Sequence, residues 1–219
     1  MGRAKLKKFA DNQASRNVIE PGKPEFETIK GSWRSGHFGN DHPIVLEIGC
    51  GYGEYSTGLA EKFPDKNFIG VDIKGSRIWR GSQYAQNNGL DNVAFLRIHV
   101  LELENHFEKN EVDEIWITFP DPRPKKSDVR RRLTSSRFMD IYKRVLKPDG
   151  LLHLKTDSTG LFEYTLELVQ KEVAVKDLIS TSDLYSTDLL KEHHGIQTRY
   201  EQMFSEKGEK IKYLRFRFE

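Results

Sequence analysis

The 219-residue sequence holds one cysteine, Cys50, so no internal disulfide can brace it. That economy agrees with a reducing compartment. There is no run of apolar residues long enough to cross a bilayer and no secretory signal pattern, so a cytoplasmic protein without a membrane partner is expected. The seven histidines form no ligand-spaced set with cysteine or acidic residues, and no metal is expected. Net charge is scarce too: 35 Lys and Arg against 33 Asp and Glu leave +2. The overall field therefore says little about partners, and only its distribution is informative.

That distribution is uneven. Lys125, Lys126, Arg130, Arg131 and Arg132 crowd together with one acid, Asp128, and the start carries Arg3, Lys5, Lys7 and Lys8. Two such runs in a nearly neutral chain offer a footprint to a polyanion, although charge runs are commonly just solvated faces. Residues 1–30 are polar, basic and without periodicity, ending in Pro21-Gly22-Lys23-Pro24, and read as a flexible basic arm. Residues 31–219 are the right length for one domain with a full core.

The chain is organised around Val45 to Gly53, Val-Leu-Glu-Ile-Gly-Cys-Gly-Tyr-Gly. A strand-like apolar run carries Glu47 and passes into Gly49, Gly51 and Gly53 before a helical pattern begins. Glycines there let the backbone take positive φ and let a ligand approach, while the helix start offers free N–H groups. Gly-x-Gly-x-Gly departs from the Gly-x-Gly-x-x-Gly of nicotinamide and flavin sites, which weakens a dinucleotide reading. Together with Glu47 it resembles the first motif of class I S-adenosylmethionine methyltransferases. Asp72 stands about twenty residues further on, at the tip of the next strand, where an acid accepts from both hydroxyls of an adenosine ribose. The bland alternative for Asp72 is a helix cap.

Strand and helix then alternate. Strands are expected over Ile44–Ile48, Asn67–Val71, Val93–Ile98, Val112–Phe119, Leu151–Thr156 and Val173–Ile179, and Lys210–Phe218 alternates as a last, antiparallel strand. Helices are expected over about Glu54–Lys62, Gly75–Asn88, Leu133–Leu146 and Phe162–Lys171, with Lys147-Pro148-Asp149-Gly150 as a turn. This pattern is α/β: a doubly wound, mostly parallel sheet with an antiparallel C-terminal strand. Such sheets bind ligands at the carboxyl ends of their strands. Glu47, Asp72, His99, Asp121 and Asp157 all fall on that rim.

The most specific stretch is Phe119-Pro120-Asp121-Pro122-Arg123-Pro124-Lys125-Lys126. Its prolines stiffen the loop and fix where Asp121 points. With Glu-Ile-Gly-x-Gly-x-Gly, Phe-Pro-Asp-Pro, the Lys-Lys to Arg-Arg-Arg-Leu basic loop, Lys155-Thr156-Asp157 and Thr198-Arg199-Tyr200-Glu201, the chain resembles the bacterial tRNA (guanine-N7-)-methyltransferase family over nearly all its length beyond the arm. The resemblance implies a Rossmann-like fold, S-adenosyl-L-methionine as cofactor, tRNA as partner and methylation of guanine N7 at position 46 of the variable loop. It also implies that Glu47, Gly49, Gly51, Gly53, Asp72 and Asp121 serve the cofactor and that Asp121 is the catalytic or guanine-contacting acid. Lys125, Asp157, Thr198, Arg199, Tyr200 and Glu201 would contact the substrate nucleotide, and Ser127, Asp128, Val129, Arg130, Arg131 and Arg132 the RNA. Two positions depart from the family pattern: Arg123 where Trp is common, and His99 where an acid near the adenine is common. Three other readings stay open: a nicotinamide oxidoreductase, a methyltransferase for an exocyclic amine of another RNA base, and a non-catalytic RNA-binding protein that kept the fold.

Overall fold

The computed structural model describes residues 2–219. Four elements precede the strand that leads into the glycine turn: helix α1 (Arg3–Ala14), a two-residue strand β1 (Val18–Ile19), helix α2 (Pro24–Thr28) and a π-helical turn, Trp33–Phe38. The alternating body follows as β2 (Ile44–Ile48), α3 (Glu54–Lys62), β3 (Asn67–Val71), α4 (Gly75–Asn87), β4 (Val93–Leu96), α5 (Leu103–His106), β5 (Val112–Thr118) and α6 (Ser136–Val145). It closes with β6 (Leu146–Thr156), α7 (Thr159–Lys171), β7 (Val175–Thr181), α8 (Arg199–Glu206) and β8 (Lys212–Phe218).

The strands form one sheet in the order β1-β4-β3-β2-β5-β6-β8-β7. Pairing is parallel from β1 through β6, and β8 inserts antiparallel between β6 and β7. All five residues of β2 are buried, which is what a central parallel strand covered on both faces requires. Ile44, Leu46 and Ile48 feed the core on one side of the sheet, while Val45 joins Tyr55, Phe68 and Trp116 on the other. From β2 the chain winds outward through β3 and β4, then returns to lay β5 on the other side. The reversal opens a crevice at the carboxyl ends of β2 and β5.

The N-terminal residues differ from the expected arm. Helix α1 lacks an apolar stripe and is held by polar contacts that leave no periodicity in the sequence. Buried Asn12 donates from Nδ2 to Gly75 O at 2.8 Å, and Trp79 Nε1 donates to Asp11 Oδ2 at 2.9 Å. The Arg97 guanidinium lies over Phe9, and β1 buries Val18 and Ile19 against β4. The expected turn at Lys147–Gly150 is also different: β6 runs through it as a bulged strand, Val112 pairing with Leu146 and Glu114 with Leu151. Helix α6 starts later than its apolar spacing suggested, with Ser135 at its N-cap.

Asn12→Ala removes the donor to a buried carbonyl and should cost about 1–3 kcal/mol. Hydrogen exchange should show residues 3–14 exposed while β2 stays protected. Unchanged exchange in α1 would contradict this anchoring.

Candidate active site

The turn after β2 is built on positive φ at Gly49, Gly51 and Gly53, at 76°, 56° and 73°. Gly53 is the most constrained of the three, because a Cβ there would lie 2.5 Å from Phe95. Only glycine satisfies both conditions. The Gly51 N–H donates to Asp72 Oδ2 at 3.0 Å, and Asp72 Oδ1 accepts from Lys74 N at 2.8 Å. Asp72 therefore locks the glycine turn to the start of α4 and keeps further lone pairs for a ligand.

Glu47 is nearly sealed and ties three elements together. Its Oε2 accepts from the Ser56 N–H at 2.9 Å and the Ser56 hydroxyl at 2.5 Å, and its Oε1 from the Thr118 hydroxyl at 2.6 Å. Burial raises its pKa from 4.5 to about 7, against the pull of those hydrogen bonds and of Lys155. Burial also pushes the Cys50 thiol up, so this cysteine fills space in the turn without thiolate chemistry.

Facing the turn, the loop Phe119–Pro124 is bracketed by two non-glycine residues in the left-handed region, Phe119 at φ 47° and Arg123 at φ 46°. Asp121 projects from it, largely exposed, and pairs with Arg123 Nε at 3.0 Å. A cavity of about 750 Å³ lies between this loop and the glycine turn. Glu47, Asp72, His99, Asp121 and Asp157, the five rim residues read from the sequence, all line it. His99 Nδ1 accepts from the Leu101 N–H at 3.2 Å, which leaves Nε2–H as a donor in the neutral ring. Asp157 does not cap α7, since Ser158 does so through Leu161 N. Its carboxyl accepts no side-chain hydrogen bond among the described residues, and burial raises its pKa.

The C-terminal segment divides. Thr198 and Tyr200 line the cavity, and Thr198 caps α8 by accepting from Glu201 N at 3.2 Å. The Arg199 side chain is exposed away from the cavity lining, while its N–H donates to Glu54 Oε2 at 2.9 Å. Glu201 departs from the expected substrate contact because it is completely buried and engaged. Its carboxylate pairs with the equally buried Lys155 at 2.8 Å and with His193 Nε2 at 2.9 Å, and accepts from the Tyr185 hydroxyl. Burial alone would raise the Glu201 carboxyl, but the His193 hydrogen bond and the Lys155 charge outweigh it and hold it low. Burial pushes the Lys155 ammonium down against the attraction of Glu201. This ion pair fixes the rim segment to β6.

The basic loop divides likewise. Arg130 and Arg131 line the cavity, with Arg131 also paired to Asp128 at 3.2 Å. Lys125, Ser127, Asp128 and Val129 lie outside the lining, on the helical turn Lys126–Arg131 and the residue before it. Arg132 is half-buried, its guanidinium 4.4 Å from the Tyr164 ring centre and its Nε donating to Arg123 O. It braces the loop from behind. Sequence reasoning missed Arg137 and Phe204, both in the lining. Arg137 stands only five residues beyond the basic run, a signal that was available. Phe204 had none beyond its place one turn after Tyr200.

A glycine turn at the switch point, an acid at the tip of the neighbouring strand and a proline-bracketed aspartate across the crevice define a Rossmann-like methyltransferase. Comparison with known proteins agrees. Residues 41–214 match a family profile described as "Putative methyltransferase". A tRNA (guanine-N(7)-)-methyltransferase of Cytophaga hutchinsonii is 47% identical over 219 residues, covering 100% of this chain and 99% of that protein. The enzyme of the same description from Christiangramia forsetii is 50% identical, covering 97% of each. Among solved structures, the 16S rRNA methyltransferase KamB superposes with a TM-score of 0.62 at 17% identity, over 91% of this chain and 94% of that one, which speaks to the fold alone. The chain belongs to the tRNA (guanine-N7-)-methyltransferase family.

Two outcomes follow. Because Glu47 binds a proton more tightly folded than unfolded, its contribution to stability is complete below pH 4.5 and is lost as pH rises to about 7. In urea titrations the wild type should lose up to about 3 kcal/mol relative to Glu47→Gln across that window. A pH-independent difference would contradict the assignment. Lys155→Met, which strands a buried carboxylate, should cost about 3–5 kcal/mol, and Lys155→Met with Glu201→Gln should cost less than the single change.

Proposed function

We propose that this chain transfers a methyl group from S-adenosyl-L-methionine to N7 of a guanine in the variable loop of tRNA. The observation that carries the reading is the convergence of Glu47, Asp72, Asp121 and Asp157 on one cavity, in a chain nearly half identical over its full length to enzymes of that description. The cavity fits such a cofactor in size and donor set: its volume lies in the range of small-molecule sites. Asp72 would accept from ribose hydroxyls, His99 Nε2–H would donate to the adenine, and the Gly49–Gly53 turn would admit the amino-acid end over Glu47. When bound, S-adenosyl-L-methionine supplies a sulfonium methyl group.

Guanine N7 carries a free lone pair and no proton, so its attack needs no general base. What the chain supplies is alignment, whose entropic benefit reaches roughly 7–11 kcal/mol in well-oriented systems. Asp121 and Asp157 would accept from guanine N1–H and N2–H₂, donors that adenine does not present at those places. The same carboxylates would face the positive charge that the purine acquires as N7 becomes quaternary. Asp121 thus positions and stabilises, and removes no proton. Tyr200 and Thr198 border the same space, and Tyr200, 41% exposed, is available to stack on an unpaired base.

Lys125, Ser127, Asp128, Val129, Arg130 and Arg131 would meet the RNA backbone, exposed Arg199 would contact the substrate from α8, and Arg132 would hold the basic loop in shape. No helix among the described residues is long and apolar enough to cross a membrane. We place the enzyme in the cytoplasm, with its tRNA substrate.

Labelled methyl transfer to unmodified tRNA, mapped by aniline cleavage, tests the reading. The wild type should modify one variable-loop guanine, and Asp121→Ala should lower the rate at least a hundredfold, the scale of losing an electrostatic contact in the transition state. Label in an exocyclic amine, or none in any tRNA, would overturn it.

A further inference from the structure

Arg123 sits in the loop that carries Asp121, and the structure gives it a specific partner. Its backbone N–H donates to Asp121 Oδ1 at 3.3 Å, and its Nε lies 3.0 Å from Asp121 Oδ2. Both carboxylate oxygens of the proposed guanine-contacting acid are thus engaged by one residue. The two contacts differ in kind. The backbone contact is fixed, because Arg123 sits between Pro122 and Pro124 at φ 46° and its carbonyl is held by Arg132 Nε at 3.2 Å. The side-chain contact is not fixed: the Arg123 side chain is 40% exposed at the cavity wall, and its Nη hydrogens find no acceptor among the described residues.

The Arg123 guanidinium meets Asp121 as a charge: Nε lies close to Oδ2 without donating a hydrogen bond to it. The Watson–Crick edge of guanine offers Asp121 what the guanidinium does not, aligned N1–H and N2–H₂ donors. We infer that Arg123 pairs with Asp121 while no base is bound, keeping the carboxylate at the cavity wall, and gives way when guanine enters. The exchange is required by charge as well as by space. A guanidinium left on Asp121 would neutralise the carboxylate while the purine becomes cationic. The backbone N–H contact survives the exchange and keeps Asp121 aimed. Arg123 is therefore a positioning residue, and selection of guanine includes competition with a positive charge carried by the protein.

This assignment rests on the proposed reaction, and guanosine binding to full-length protein loaded with S-adenosylhomocysteine tests it. Arg123→Met keeps an unbranched apolar stem and the backbone strain while removing the guanidinium charge. Guanosine should bind about two- to fivefold more tightly to Arg123→Met, the range spanned by exposed ion pairs. Arg123→Lys, which keeps the charge on a more mobile ammonium, should fall between the two. High salt should narrow the gap between wild type and Arg123→Met, because the displaced contact is screened. In an Asp121→Asn background the Arg123 change should have no effect on guanosine affinity. Unchanged or weaker guanosine binding in Arg123→Met, with methyl transfer to tRNA retained by both proteins, would overturn the assignment alone. Absence of transfer by the wild type would overturn the proposed reaction and the assignment with it.

Discussion

The Glu47 carboxylate is the tie on which the rest of the site depends. It leaves the central strand at the point where the winding of the sheet reverses, and accepts hydrogen bonds from α3 and from the end of β5. Those three elements are the floor and two walls of the cavity. Burying an acid there is costly, which is why its proton is held up to about pH 7, and three close donors offset that cost. A cationic cofactor over the same place would add to the offset, so the costly burial of Glu47 also suits the site to a cationic ligand.

A second internal tie extends the first. Lys155 lies within reach of Tyr55 on α3 and pairs with Glu201, so the first turn of α8 is fastened to the sheet under the cavity. Glu54 on α3 then accepts the Arg199 N–H from the same segment. The proposed base-contacting rim is consequently joined to β6 and to the start of α3. Rigid elements of this kind hold reacting groups to the small tolerances that alignment chemistry needs.

The sheet class, the glycine turn, the four rim acids and His99 were legible in the sequence because each depends on local pattern: strand runs, positive-φ glycines and strand-end positions. What was not legible depends on partners far away in the chain. Helix α1 has no stripe to read, since Asn12 and Asp11 hold it by single hydrogen bonds to α4. Glu201 stands in a Thr-x-x-Glu motif that reads as a surface capping turn, yet its side chain turns inward to a lysine on another strand. Arg132 belongs to a run of arginines that looks uniformly available, and only the fold shows it set against Tyr164. Lys147–Gly150 has the composition of a turn and is drawn into β6 by pairing with β5.

The central claim is that this crevice methylates a purine nitrogen that bears a lone pair and no proton. The most direct measurement uses tRNA in which the target guanine is replaced by 7-deazaguanine, so that N7 becomes a carbon while the N1–H and N2–H₂ edge is kept. The account predicts that this RNA still binds, with an affinity close to that of normal tRNA, and takes up no methyl group. Methyl incorporation into the deaza substrate at the same nucleotide would contradict it.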